Sequence, residues 1–117
     1  MNANAQKGAH HWLWQRATAV ALAVLSVWFV FEILGRVDDA HGAAMAWVAH
    51  PGVAAALIIY LVALFWHAQL GLQVIAEDYI ASDGARRKSV RAFAAINTLA
   101  ALAAIAAVAR IAFFQTP

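Results

Sequence analysis

His67 is the residue that first points to chemistry. It stands inside an apolar run, within Trp66-His67-Ala68-Gln69-Leu70-Gly71, with Gln69 and Gln73 as its polar neighbours. An ionisable side chain in hydrocarbon is costly and marks function by default. A histidine so placed serves as a proton relay, a hydrogen-bonded packing residue, or a ligand to a metal or haem iron. Gly71 follows one turn later and Val74 continues the same face. The strip is smooth and carries one imidazole, and a glycine there lets a flat group approach the backbone. The same glycine equally suits a close helix crossing. His67 lies eleven residues before Asp78, about 16 Å along a helix at roughly 1.5 Å per residue. His10, His11, His41 and His50 all fall near the two ends, so a second axial ligand to a haem would come from another chain.

Two further ionisable residues interrupt apolar runs, Glu32 and Arg110. Both lie a few residues from the ends of their runs, where Arg110 can snorkel, and at one depth they can pair with each other. A haem also carries two propionates, which need cationic or hydrogen-bonding partners where the membrane meets water. Arg16, with His10 or His11, stands at the right end for that, though Arg16 also reads as an interfacial anchor. Tyr79 and Asp78 close the second apolar run just before a basic stretch. A phenol there suits an aromatic interfacial belt; it also suits donation to a carbonyl oxygen of a ligand in the headgroup region, with Asp78 orienting it or relaying protons.

The elements that must position these residues follow from composition. The 117 residues are 65% hydrophobic and 12% charged, against about 45–50% and about 25% for a soluble domain. Mean hydropathy is +0.71. A spanning helix needs about 20 apolar residues. The chain accommodates three, at about 17–35, 53–76 and 92–114, as one all-α integral membrane domain over 1–117. Little remains for a soluble catalytic domain. The first run reads as a retained span, since the small residues that suit cleavage lie beyond Asp38 and Asp39. Residues 43–50 are too short to span and suit an interfacial helical turn carrying Trp47, with Pro51 in the first turn of the next helix. The absence of cysteine excludes disulfides, thiolate zinc and Cys-ligated clusters within the chain. A net charge of +2 gives no basis for nucleic-acid binding. Six of the eight Lys and Arg residues (Lys7, Arg16, Arg86, Arg87, Lys88, Arg91) fall on the side of the N-terminus and the second loop; Arg36 and Arg110 fall on the other. The positive-inside rule then predicts a cytoplasmic N-terminus. The run Arg86 to Arg91 suits anionic lipid or docking of an extrinsic subunit. Ala100, Ala103, Ala104 and Ala107 form a small-residue packing face, for the chain's own spans or for a partner.

Two segments together resemble a known family. His10-His11-Trp12-Leu13-Trp14-Gln15-Arg16-Ala17-Thr18-Ala19 is similar to its histidine…Arg-Ala-Thr-Ala entry to the first span. His67-Ala68-Gln69-Leu70-Gly71, running on to Asp78-Tyr79, is similar to its His-Ala-x-x-Gly…Asp-Tyr segment. The family is the small hydrophobic membrane anchor of succinate dehydrogenase, the cytochrome b556 small subunit, and the resemblance runs from His10 to the C-terminus. It implies that His67 is an axial ligand to the iron of haem b, the other ligand coming from the larger cytochrome b anchor subunit. It implies that Tyr79 and Asp78 lie at the ubiquinone site, and that Arg16 and His10 face the haem propionates or the quinone pocket. His10 has the family's spacing to Arg16, and His11 is an extra neighbour.

The expectation is therefore an anchor subunit of succinate:ubiquinone oxidoreductase in a bacterial inner membrane, beside a flavoprotein subunit and an iron–sulfur subunit. The short, weakly basic N-terminal stretch is no mitochondrial import signal. Without a flavin fingerprint or cysteines, the chain does not oxidise succinate alone and carries no catalytic residue of its own. The alternatives are an anchor serving fumarate reduction, a small transporter or proton-relay protein using His67, and a structural scaffold using the alanine face.

Overall fold

The computed structural model describes residues 3–114. They form four helices, α1 Ala3–Leu34, α2 His41–Ala49, α3 Pro51–Tyr79 and α4 Asp83–Phe114, with no strand among the described residues. In α1, α3 and α4 the apolar runs are long enough to cross a bilayer. The bundle is 53 Å long, longer than a hydrocarbon core of about 30 Å.

Each long helix continues past its apolar run. The polar stretch before Ala17 is already helical in α1; its Ala, Gln and Lys residues are good helix formers. The basic run Arg86 to Arg91 is the first part of α4, not a loop. Ser82 starts that helix: its carbonyl accepts from the Arg86 N–H at 2.9 Å and its hydroxyl from the Ala85 N–H at 3.4 Å. Arg86 and Asp83 then pair within the first turn. Pro51 opens α3, and the His50 imidazole caps it by accepting from the Gly52 N–H at 3.2 Å.

α3 is the middle of the molecule. It packs antiparallel against both α1 and α4, whose backbones do not approach each other closely. The four buried residues among those described are small: Ala54, Ala63 and Ala76 of α3, and Thr18 of α1. Lipid gives no hydrophobic drive to helix association, so backbones approach where side chains are small and large apolar groups turn outward. Val20, Val24, Phe31, Ile96, Leu99 and Leu102 accordingly face outward. Asn97 of α4 donates to the Phe65 carbonyl of α3 at 2.7 Å, and Ser26 of α1 bonds Tyr60 of α3 at 2.7 Å. The alanine face of α4 is mostly uncovered: Ala100, Ala103 and Ala107 are exposed and Ala104 is half-buried.

The turn after α1 corrects one expectation. Glu32 does not pair with Arg110. It accepts from Arg36 at 3.1 Å, Arg36 also reaches Asp39 at 3.6 Å, and its guanidinium sits 4.9 Å from the Trp47 ring. The reason is topological: the backbones of α1 and α4 do not approach each other closely, whereas Arg36 is one helical turn from Glu32. Arg110 is exposed and makes no ion pair among the described residues.

Candidate functional site

The site is built on the α1–α3 seam. Trp14 and Trp66 stack across it, with ring centroids 4.6 Å apart and planes at 23°. Such a pair adds about 0.5–1.5 kcal/mol beyond its burial, and it sets the register of the two helices one residue from His67. The next contact along the seam is Thr18 Oγ1 to His67 Nδ1, at 3.0 Å. The Thr18 hydroxyl also lies 2.8 Å from the Trp14 carbonyl and 3.1 Å from the Gln15 carbonyl of its own helix. Thr18 is 6% exposed, while His67 is half-buried. His67 Nε2 makes no hydrogen bond among the described residues and is not shut off from the chain's surface.

Beside His67 the face of α3 is open. A Cβ built on Gly71 meets nothing within 4 Å. Gly71 therefore serves no close helix crossing within this chain, and it leaves room beside His67 for a flat group. An imidazole nitrogen without a partner among the described residues, beside a glycine with room for a Cβ, fits a haem b in donor chemistry and in shape.

The other predicted residues are placed but not gathered. Arg16 is exposed and stacks over Trp12 at 5.6 Å. It is two residues from Thr18, about 200° round the helix. His10 is exposed, whereas His11 is half-buried with its Nε2 enclosed and unpartnered among the described residues. His11 lines a cleft of about 410 Å³ with Lys7, Gln15 and Glu77 at the α1–α3 seam. Asp78 is exposed, as is Tyr79, at 83%. No hydrogen bond or ion pair joins His10, Arg16, Asp78 and Tyr79 among the described residues.

Sequence reasoning passed over Thr18. The signal was there, since Thr18 is the polar residue in the apolar stretch Ala17 to Leu25, but an inventory of ionisable side chains does not count a hydroxyl. Trp66, Asn97 and Tyr60 were missed because their partners lie on other helices.

Three long apolar helices with one deep histidine define an all-α, multi-pass membrane protein. The profile of the succinate dehydrogenase/fumarate reductase transmembrane subunit family matches residues 2–108, and the chain belongs to that family. It is 40% identical over 78 residues to the succinate dehydrogenase hydrophobic membrane anchor subunit of Rickettsia conorii, covering 66% of this chain and 62% of the relative. The Rickettsia felis protein of that name is 36% identical, covering 62% and 61%, and the Rickettsia bellii protein 34% identical, covering 71% and 66%. The matches thus span just under two thirds of these relatives' lengths. No solved structure gives a significant match.

Proposed function

We propose that this chain is a membrane anchor subunit of succinate:ubiquinone oxidoreductase, seated in a bacterial inner membrane with its N-terminus cytoplasmic. It would fasten the flavoprotein and iron–sulfur subunits to lipid beside a larger cytochrome b anchor subunit. Family membership and the names of the Rickettsia relatives support that role.

The observation that carries the haem assignment is His67 beside the open face at Gly71. His67 Nε2 would ligate the haem iron, and the neighbouring anchor subunit would supply the other ligand. Haem b, when bound, supplies one-electron redox chemistry at that depth. Arg16 is accessible and without a carboxylate partner among the described residues, so its guanidinium is available to a propionate or to the quinone pocket. His10, exposed at the same end, is assigned with it. Ubiquinone is the substrate at this end. Tyr79, projecting from the last turn of α3, donates its hydroxyl hydrogen to a quinone carbonyl oxygen, and Asp78 beside it delivers protons as the quinone takes up two electrons and two protons. The relay or transporter reading of His67 needs a polar path through the seam. The groove next to Thr18 is lined instead by Trp14, Ala17, Ala21, Ile58, Ile59, Val62, Ala63 and Trp66, which favours the anchor reading.

The test is a reduced-minus-oxidised visible spectrum of the complex purified through this chain in mild detergent. A b-type band that disappears in His67→Ala is expected. A complex that is intact but devoid of haem in the wild type would overturn the ligand assignment.

A further inference from the structure

We infer that Thr18 is the positioning residue for His67: by accepting from Nδ1–H it holds the imidazole in the tautomer whose Nε2 lone pair faces away from α1, ready to bind a metal. The inference rests on the proposed haem ligation but concerns a residue outside it.

Thr18 Oγ1 has one hydrogen to give and three acceptors in range: the Trp14 carbonyl at 2.8 Å, the Gln15 carbonyl at 3.1 Å, and His67 Nδ1 at 3.0 Å. If Nδ1 is bare, the hydroxyl hydrogen must go to it. One bond then forms, and the proton sits on Nε2, which has no partner among the described residues. If Nδ1 carries the proton, it donates to Thr18 Oγ1 and the hydroxyl donates onward to a carbonyl of its own helix. Two bonds form, the groups share one relay, and no polar hydrogen is stranded. Two hydrogen bonds outweigh one, so the second arrangement prevails. It leaves Nε2 unprotonated, the form in which imidazole ligates a metal.

Three features make the arrangement rigid. Thr18 is the one buried polar side chain among the described residues. Its β-branched side chain has few rotamers, and back-bonding to the preceding turn selects one of them. The Trp14–Trp66 stack flanks it on both helices. A ligating histidine whose other N–H is bonded is a stronger base and a fixed ring, and loss of such a partner costs roughly 10–100-fold in metal affinity or activity.

The experiment uses the assembled complex carrying Thr18→Val, which keeps the shape and removes the acceptor, Thr18→Ser, which restores the hydroxyl, and His67→Ala. Haem per complex and haem midpoint potential are read. Thr18→Val is expected to lower haem retention several-fold and to move the ferric–ferrous equilibrium toward ferrous by up to about tenfold, about 59 mV for one electron. Thr18→Ser is expected to return both to wild-type values. If Thr18→Val fails to assemble, Thr18→Ala, which adds no bulk, is read by the same criteria. Unchanged haem retention and potential in the hydroxyl-free variant, with the band lost in His67→Ala, would make Thr18 a packing residue and leave the ligand assignment standing. A band that survives His67→Ala would overturn the ligand assignment itself, and the inference with it.

Discussion

Gly71 separates what the chain needs for folding from what it offers to a ligand. Nothing lies within 4 Å of a Cβ built there, so Gly71→Ala costs no packing and gains up to about 1 kcal/mol of helix propensity. Gly71→Phe fills the strip beside His67. We expect it to leave the far-ultraviolet helix signal unchanged and to strip haem from the complex, measured as b-type absorbance per protein. Tyr79 separates the two in another way. Its side chain is 83% exposed, so Tyr79→Phe leaves thermal stability unchanged. If Tyr79 donates to the quinone as proposed, losing that bond of about 1 kcal/mol is expected to lower quinone reduction several-fold, with the haem spectrum intact. A haem spectrum that changed in Tyr79→Phe, with quinone reduction untouched, would count against placing the quinone at this end of α3.

At the scale of elements, the helices hold together by few and small contacts. Alanines let the backbones of α1, α3 and α4 approach, and isolated polar bonds tie them. Asn97 is one such tie, from α4 to the Phe65 carbonyl of α3. Interhelical hydrogen bonds in membranes average about 0.6 kcal/mol, so Asn97→Leu is expected to destabilise the bundle by about that amount in a detergent-unfolding titration. A loss of several kcal/mol would show that the bond anchors more than two helices. Arg36 works at the other end, where it joins Glu32, Asp39 and Trp47. Its side chain is 36% exposed, so solvent screens the pairs and Arg36→Ala costs only about 1 kcal/mol. The visible consequence should be faster proteolysis of the turn between α1 and α2.

At the scale of the whole molecule, orientation is a matter of charge. With no native cysteine, single replacements give a clean test: Ser82→Cys should react with an impermeant maleimide only from the cytoplasmic side, and His41→Cys only from the periplasmic side. The opposite pattern would invert the topology. The alanine face of α4 is mostly exposed in the single chain, and nothing lies within 4 Å of a Cβ built on Gly71. The class was legible in the unfolded chain, as three apolar runs, the basic bias of one end, and one histidine at a depth no other histidine reaches, because hydropathy and spacing are local properties. The sequence also marked Arg16, His10, Asp78 and Tyr79 through their resemblance to a family pattern. It did not determine that Arg36, not Arg110, meets Glu32, that the basic run is helical from Asp83 onward, or that His11 rather than His10 turns into the α1–α3 seam. Above all it did not show Thr18 against His67, 49 positions away in the chain. Those outcomes depend on which helix sits between the other two and at what register, and that is decided by packing of small side chains across the bundle, which no single run of sequence contains.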